Sequence, residues 1–148
     1  MKKIVASLAL GMAVLSTTSV VQARDTKLIL PVKDALNYVG KSSSAKEALA
    51  GYEDIKLVFG KGGGNIVRKD VVANKKTNAF NKSDEEACQW VFLSAVKSLL
   101  ESAREAGATK VVNIVSYYKK NEFKSTTDYE CHAGAIMAGV ALKGDIAK

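Results

Sequence analysis

Histidine, proline and tryptophan occur once each in this chain, as His132, Pro31 and Trp90, and cysteine occurs twice, as Cys88 and Cys131. So small a set of soft ligands forms neither a CxxC nor an HxxxH pair, the spacings that mark structural zinc sites. A phosphate-binding loop is also missing. Gly40-Lys41-Ser42 has the ending of one, but Ala35 stands where the pattern needs a glycine five residues earlier. No paired-carboxylate hydrolase site stands out. Beyond the first 23 residues, no apolar run approaches the roughly 20 residues that a membrane-spanning helix requires. These absences argue against ATP hydrolysis, zinc chemistry and glycoside cleavage, and no cofactor is expected.

What is present begins at the N-terminus. Lys2 and Lys3 precede an apolar run from Ile4 to Leu15, and Val21-Gln22-Ala23 supplies small residues for cleavage. This is the pattern of a secretory signal peptide over residues 1–23, with the mature chain starting at Arg24. The expected location is the bacterial periplasm, with an uncleaved N-terminal anchor as the alternative. Residues 24–148 fit one domain that can bury about two-thirds of its unfolded surface.

The whole chain carries a net charge of +7, and removal of Lys2 and Lys3 leaves +5. Residues 24–82 hold 12 basic and 6 acidic side chains, whereas 83–107 hold 2 and 5. A basic first half can attract anionic partners. An exported protein does not meet nucleic acid, so the pairs Lys75-Lys76 and Lys119-Lys120 are not read as a nucleic-acid patch.

Periodicity predicts strands at 27–32, 55–59 and 66–73, with short helices at 32–38 and 44–50. The glycine-rich stretch 60–64 reads as the tip of a hairpin over 55–76. Ser83-Asp84-Glu85-Glu86 begins the clearest element, a helix over 83–106 with acids in its first turn and Gly107 after its end. Its apolar stripe contains Cys88, Phe92, Val96, Leu99, Ala103 and Ala106. Trp90 falls among polar positions, under a loop or partly exposed. Strands at 110–120 and 129–142 close the chain. One face of the last reads Tyr129, Cys131, Ala133, Ala135, Met137, Gly139, Ala141, mostly small residues on which a helix can pack closely. The fold class is α+β: an antiparallel sheet of about four or five strands with helix 83–106 on one face.

Cys88 lies early in the helix and Cys131 early in the last strand. If the small-residue face packs on the helix, both sulfurs sit at one end of the layer and a disulfide is within reach. Free buried thiols, or a metal or catalytic set with His132, are the alternatives. Adjacent strand residues face opposite ways, which sets Cys131 and His132 apart.

Two blocks, Asn81 to Trp90 and Val111 to Gly144, the latter with SYYKKNE and YECHAGAIMAGVALKG, resemble small exported bacterial proteins of unknown function that often carry the label "excinuclease ATPase subunit". More distantly, the order of helix, Gly107-Ala108, Val-rich strand and cysteine-bearing strand resembles the envelope stress sensor RcsF and YbjQ-type α+β domains. The resemblance implies a small exported α+β domain. The label implies nucleotide-dependent DNA repair, for which this chain has no phosphate loop.

The function expected from these readings is a non-enzymatic binding or interaction module at the cell envelope. Its candidate contact surface is Lys61, Arg68, Lys69, Lys75 and Lys76, with Trp90. Its candidate partners are an anionic envelope component, a periplasmic protein or, through a sheet edge, a second copy. The alternative is a thiol- or metal-dependent activity using Cys88, Cys131 and His132.

Overall fold

A computed structural model describes residues 23–148. The leader expected over 1–23 lies, up to Gln22, outside the described residues. Ten short elements follow: β1 (Thr26–Pro31), α1 (Val32–Leu36), α2 (Ala45–Ala48), β2 (Lys56–Phe59), β3 (Ile66–Asn78), α3 (Asp84–Glu105), β4 (Lys110–Ser116), a 3-10 turn (Tyr118–Lys120), β5 (Asp128–Ala133) and β6 (Met137–Ala147).

The helices start and stop where local chemistry dictates. Ser44 and Glu47 form a reciprocal capping box at α2. At α3 the Ser83 hydroxyl accepts from the Glu86 N–H at 3.1 Å, with Asp84, Glu85 and Glu86 in the first turn. Gly107, at φ +62°, ends the helix. The Gly107 N–H bonds back to Arg104 O and the Ala108 N–H to Ala103 O, so the last carbonyls are satisfied by a Schellman-type closure.

The sheet has six strands and is mixed. β6 is its axis. β3 pairs along the whole of one side, from Asn78 opposite Met137 to Ile66 opposite Ala147. The other side is shared: β5 takes the start of β6, and β4 takes its end. β1 lies outside β5 and β2 outside β4. All of these pairs are antiparallel except β2 with β4, which is parallel.

Two sequence expectations are corrected here. Residues 55–76 are not a hairpin, because β2 and β3 lie on opposite sides of the β4–β6 pair. The glycine-rich stretch is a crossing, not a turn. Past β2 the chain continues along β4, where Gly60 N–H donates to Ile114 O and Asn113 N–H donates to Lys61 O. It then meets the C-terminus, where Asn65 and Lys148 exchange backbone bonds. Gly62 makes this close passage possible: it has φ +131°, and a Cβ there would stand 2.6 Å from the Val112 Cβ.

The second correction concerns 129–142, which is two strands and not one. Gly134 N–H donates to Met137 O, closing a tight turn at 134–136. The turn shifts the parity of the chain. Tyr129, Cys131 and Ala133 face the helix on β5, but on β6 the helix-facing residues are Ala138, Val140, Leu142 and Ile146. A run of small residues on both sides of the turn hides that change from a reading by periodicity.

The core lies between α3 and the sheet. Ala87, Cys88, Val91, Phe92, Ala95, Val96, Leu99, Leu100 and Ala103 are buried there. Ala106, expected on the same stripe, is only partly buried. Phe92 stacks between Phe59, at 5.9 Å, and Tyr129, at 4.1 Å. The disulfide Cys88–Cys131 joins α3 to β5 inside this layer, with both cysteines fully buried.

Candidate functional site

The residues singled out from the sequence fall on different parts of this frame. Arg68, Lys69, Lys75 and Lys76 all belong to β3, and Lys61 lies in the crossing before it. Trp90 stands on α3, half-buried in a cleft with Tyr38, Lys41, Lys82 and Glu86 that includes none of those five. Tyr38 donates to Glu86 across this cleft at 3.4 Å. Burial, and then the Glu86 charge, push the Tyr38 phenol above its ordinary range.

β3 is an edge strand. Among the described residues it pairs with β6 alone, so its second side has no strand partner, although the Asn78 carbonyl at its end accepts from Lys82 Nζ at 3.1 Å. The Ala79 N–H just beyond it donates to Ile136 O. Continuing that ladder in steps of two places the backbone groups of Ala73, Lys75 and Thr77 toward β6 and those of Val72, Asn74 and Lys76 toward the open side. Side chains alternate as well. Ala73 is buried against the helix layer, whereas Lys76 lines an outer-face cleft beside Tyr118 and Met137. The strand therefore carries cations on both faces, and four bases stand against one acid, Asp70. None of the four bases has a carboxylate within 4.0 Å among the described residues, which is equally true of Lys61 and most other lysines here; Arg24, Lys27 and Arg104 have one each and Lys143 has two.

Asp70 is committed elsewhere. The β3–β6 and β4–β6 ladders both slip in register, near Asp70 and Asn113, and both residues sit at φ +53°. Asp145 on β6 stands between the two bulges. Its Oδ1 accepts from the Asp70 N–H and its Oδ2 from the Asn113 side-chain amide, each at 2.9 Å. One carboxylate thus satisfies two strands at positions where an Asx residue tolerates the left-handed backbone.

The outer face holds a cluster that the sequence reading did not assemble. His132 Nε2 lies 2.6 Å from Glu130 Oε1, and His132 Nδ1 lies 3.0 Å from Asp25 Oδ1. Lys27, opposite His132 in the β1–β5 pair, reaches Glu130 at 3.6 Å. Tyr118 stacks on the imidazole with centroids 3.5 Å apart, and Lys119 caps the Tyr118 ring at 5.4 Å. Lys119 and Lys120, in the turn that carries Tyr118, both have positive φ. A period-2 reading of Glu130-Cys131-His132 could have found the Glu–His half of it. The partner from β1 required the strand order.

Chemically this cluster is a brace. The two imidazole nitrogens point to opposite sides of the ring and each already faces a carboxylate, so neither is turned to a substrate. For the same reason Asp25, His132 and Glu130 cannot surround one ion. Among the described residues no three His, Cys, Asp or Glu side chains are placed to hold a metal. The Cys88 and Cys131 sulfurs are bonded to each other on the helix side of β5, and His132 is on the other side.

No protein-family model, curated protein or solved structure matches this chain.

Proposed function

We propose that this is a non-enzymatic binding module of the cell envelope, exported by a cleaved leader and working in the periplasm on an anionic partner. The observation that carries the reading is the cluster of four cations on one edge strand, β3, none with a carboxylate within 4.0 Å among the described residues. A cation with no internal carboxylate retains its full field for an external one. The basic mature charge and the disulfide agree with it, since disulfides persist in oxidising compartments. Among the described residues no helix is long and apolar enough to cross a membrane. The likeness to small exported bacterial proteins belongs to the same reading.

The test uses the mature protein, polyglutamate, and vesicles of anionic or neutral phospholipid, at low and at physiological salt. Binding to the anionic probes that weakens with salt, and that is lost when Arg68, Lys69, Lys75 and Lys76 are all changed to Glu, is the expected result. Binding indifferent to that reversal, or no salt-sensitive binding at all, refutes the proposal. N-terminal sequencing of protein from the extracytoplasmic fraction checks the location; a chain that retains Met1 in the cytoplasm refutes it.

A further inference from the structure

The open side of β3 has a more specific meaning. We infer that it is a docking edge for an acidic polypeptide segment, which binds as an added antiparallel or parallel strand. The inference rests on the anion-binding reading and names the partner class.

Three observations converge on it. First, residues 71–78 of β3 run in unbroken register against β6, so the open side is a regular ladder. Val72, Asn74 and Lys76 present donors and acceptors at the spacing an extended chain matches. Second, the edge is flanked by cations on both faces. Lys75 lies on the helix side and Lys76 on the outer side, with Arg68 and Lys69 toward the other end. Lysines at an edge discourage uncharged strands from adding, and they favour one whose side chains bring negative charge to both faces. Third, Val72 is 49% exposed on this strand, an apolar side chain that an added strand would cover.

Charge decides between a foreign strand and a second copy. Two β3 strands laid edge to edge bring the four cations of each, against one acid in each, into one ladder. Like charges directly across a ladder destabilise it. The same cations that repel a copy of this strand attract an acidic one.

The experiment uses the mature protein and a short synthetic peptide alternating glutamate with threonine, beside a control peptide with lysine for glutamate. Amide exchange followed by NMR is the readout. The acidic peptide should slow exchange at Val72, Asn74 and Lys76 and leave Ala73, Lys75 and Thr77, already bonded to β6, unchanged. Asn74→Pro removes one outward donor and spares the inner ladder; it should weaken the acidic peptide by about tenfold or more. Should that variant fold poorly, Lys75→Glu with Lys76→Glu keeps the backbone and should transfer preference to the lysine peptide.

Acidic-peptide binding without protection at the three amides overturns the inference. So does concentration-dependent dimerisation that Asn74→Pro abolishes, which would make the edge a self-pairing site. Retained salt-sensitive binding to anionic vesicles alongside no peptide binding sinks the strand-addition inference alone. Loss of both sinks the anion-binding reading as well.

Discussion

The two faces of β5 are built from alternate residues of one short strand, yet they do opposite things. Toward the helix, Tyr129, Cys131 and Ala133 are wholly buried, stacked on Phe92 and tied to α3 by a covalent bond. Away from it, Glu130 and His132 form a polar chain with Asp25 and Lys27 under the Tyr118 ring. One face holds by excluding water and by a cross-link. The other holds by charge at a partly hydrated surface. The contrast shows why Cys131-His132 misleads as a motif: the pleat sends adjacent side chains to opposite faces of the sheet.

The contrast can be broken first on the dry side. Replacing Cys88 and Cys131 together by Ala should cost about 4 kcal/mol, since the cross-link spans 43 residues and restrains the unfolded chain over that length. Urea unfolding of the variant, beside the reduced parent protein, measures it. A loss below about 1 kcal/mol would mean that the unfolded ensemble already holds these segments together.

On the wet side the effects should be smaller. Glu130 is 8% exposed and serves His132 and Lys27 at once, while its own N–H donates to the buried Ser116 hydroxyl. Glu130→Gln should cost about 1–2 kcal/mol by the usual worth of charge-assisted bonds. Lys27→Met should cost no more than about 0.5 kcal/mol, because that partner is exposed and 3.6 Å away. Equal costs for the two would show that Glu130 is held mainly by Lys27, contrary to the distances.

Acid should test the peripheral clamps. Arg24 and Asp84 tie the N-terminal segment to the start of α3, and Arg104 and Asp54 tie its end to the loop before β2. In each pair the arginine hydrogen bond holds the carboxyl below its ordinary value. The stability they add is present above the unfolded value of 3.8 and is lost as pH falls through the lower folded values. Asp54→Asn with Asp84→Asn should flatten the acid limb of stability against pH. An unchanged limb would assign acid unfolding to other carboxylates.

The legible parts of this fold are those governed by neighbours in sequence. Helix 84–105 is announced by Ser83 and three acids at its start and by Gly107 at its end. The cysteine pairing followed from placing Cys88 and Cys131 at one end of a common layer. The illegible parts depend on partners distant in the chain. Nothing around Lys56–Phe59 says that its neighbour is β4, in parallel, and glycines at 60–64 suit a hairpin as well as a crossing. The turn at 134–136 is silent because small residues occupy both of its flanks. Of the binding surface, the β3 cations were visible as a charge run, but their freedom from carboxylates and their place on an open edge are facts of the sheet order. The Asp25–His132–Glu130 brace needed β1 laid against β5.

The one change expected to destabilise nothing returns to the dry face and is the sharpest test of how dry it is. The Tyr129 hydroxyl is buried and has no hydrogen-bond partner among the described residues. An unpaired buried hydroxyl costs free energy that a same-shaped apolar ring does not. Tyr129→Phe keeps the stack on Phe92 and should leave stability unchanged or raise it by up to about 1 kcal/mol. The difference should also depend on pH, in a direction that can be worked out. Burial, and then the charges of Glu85 and Asp34, push the phenol far above its unfolded value of 10.0. The parent protein therefore loses stability as pH rises past 10.0, where the unfolded chain releases a proton that the folded chain keeps. The Phe variant has no proton to release there, so its advantage should widen with alkalinity. A marked loss of stability in Tyr129→Phe, or an advantage that stays flat across that range, would mean that the hydroxyl is bonded to a water trapped inside the layer, and the face would not be dry.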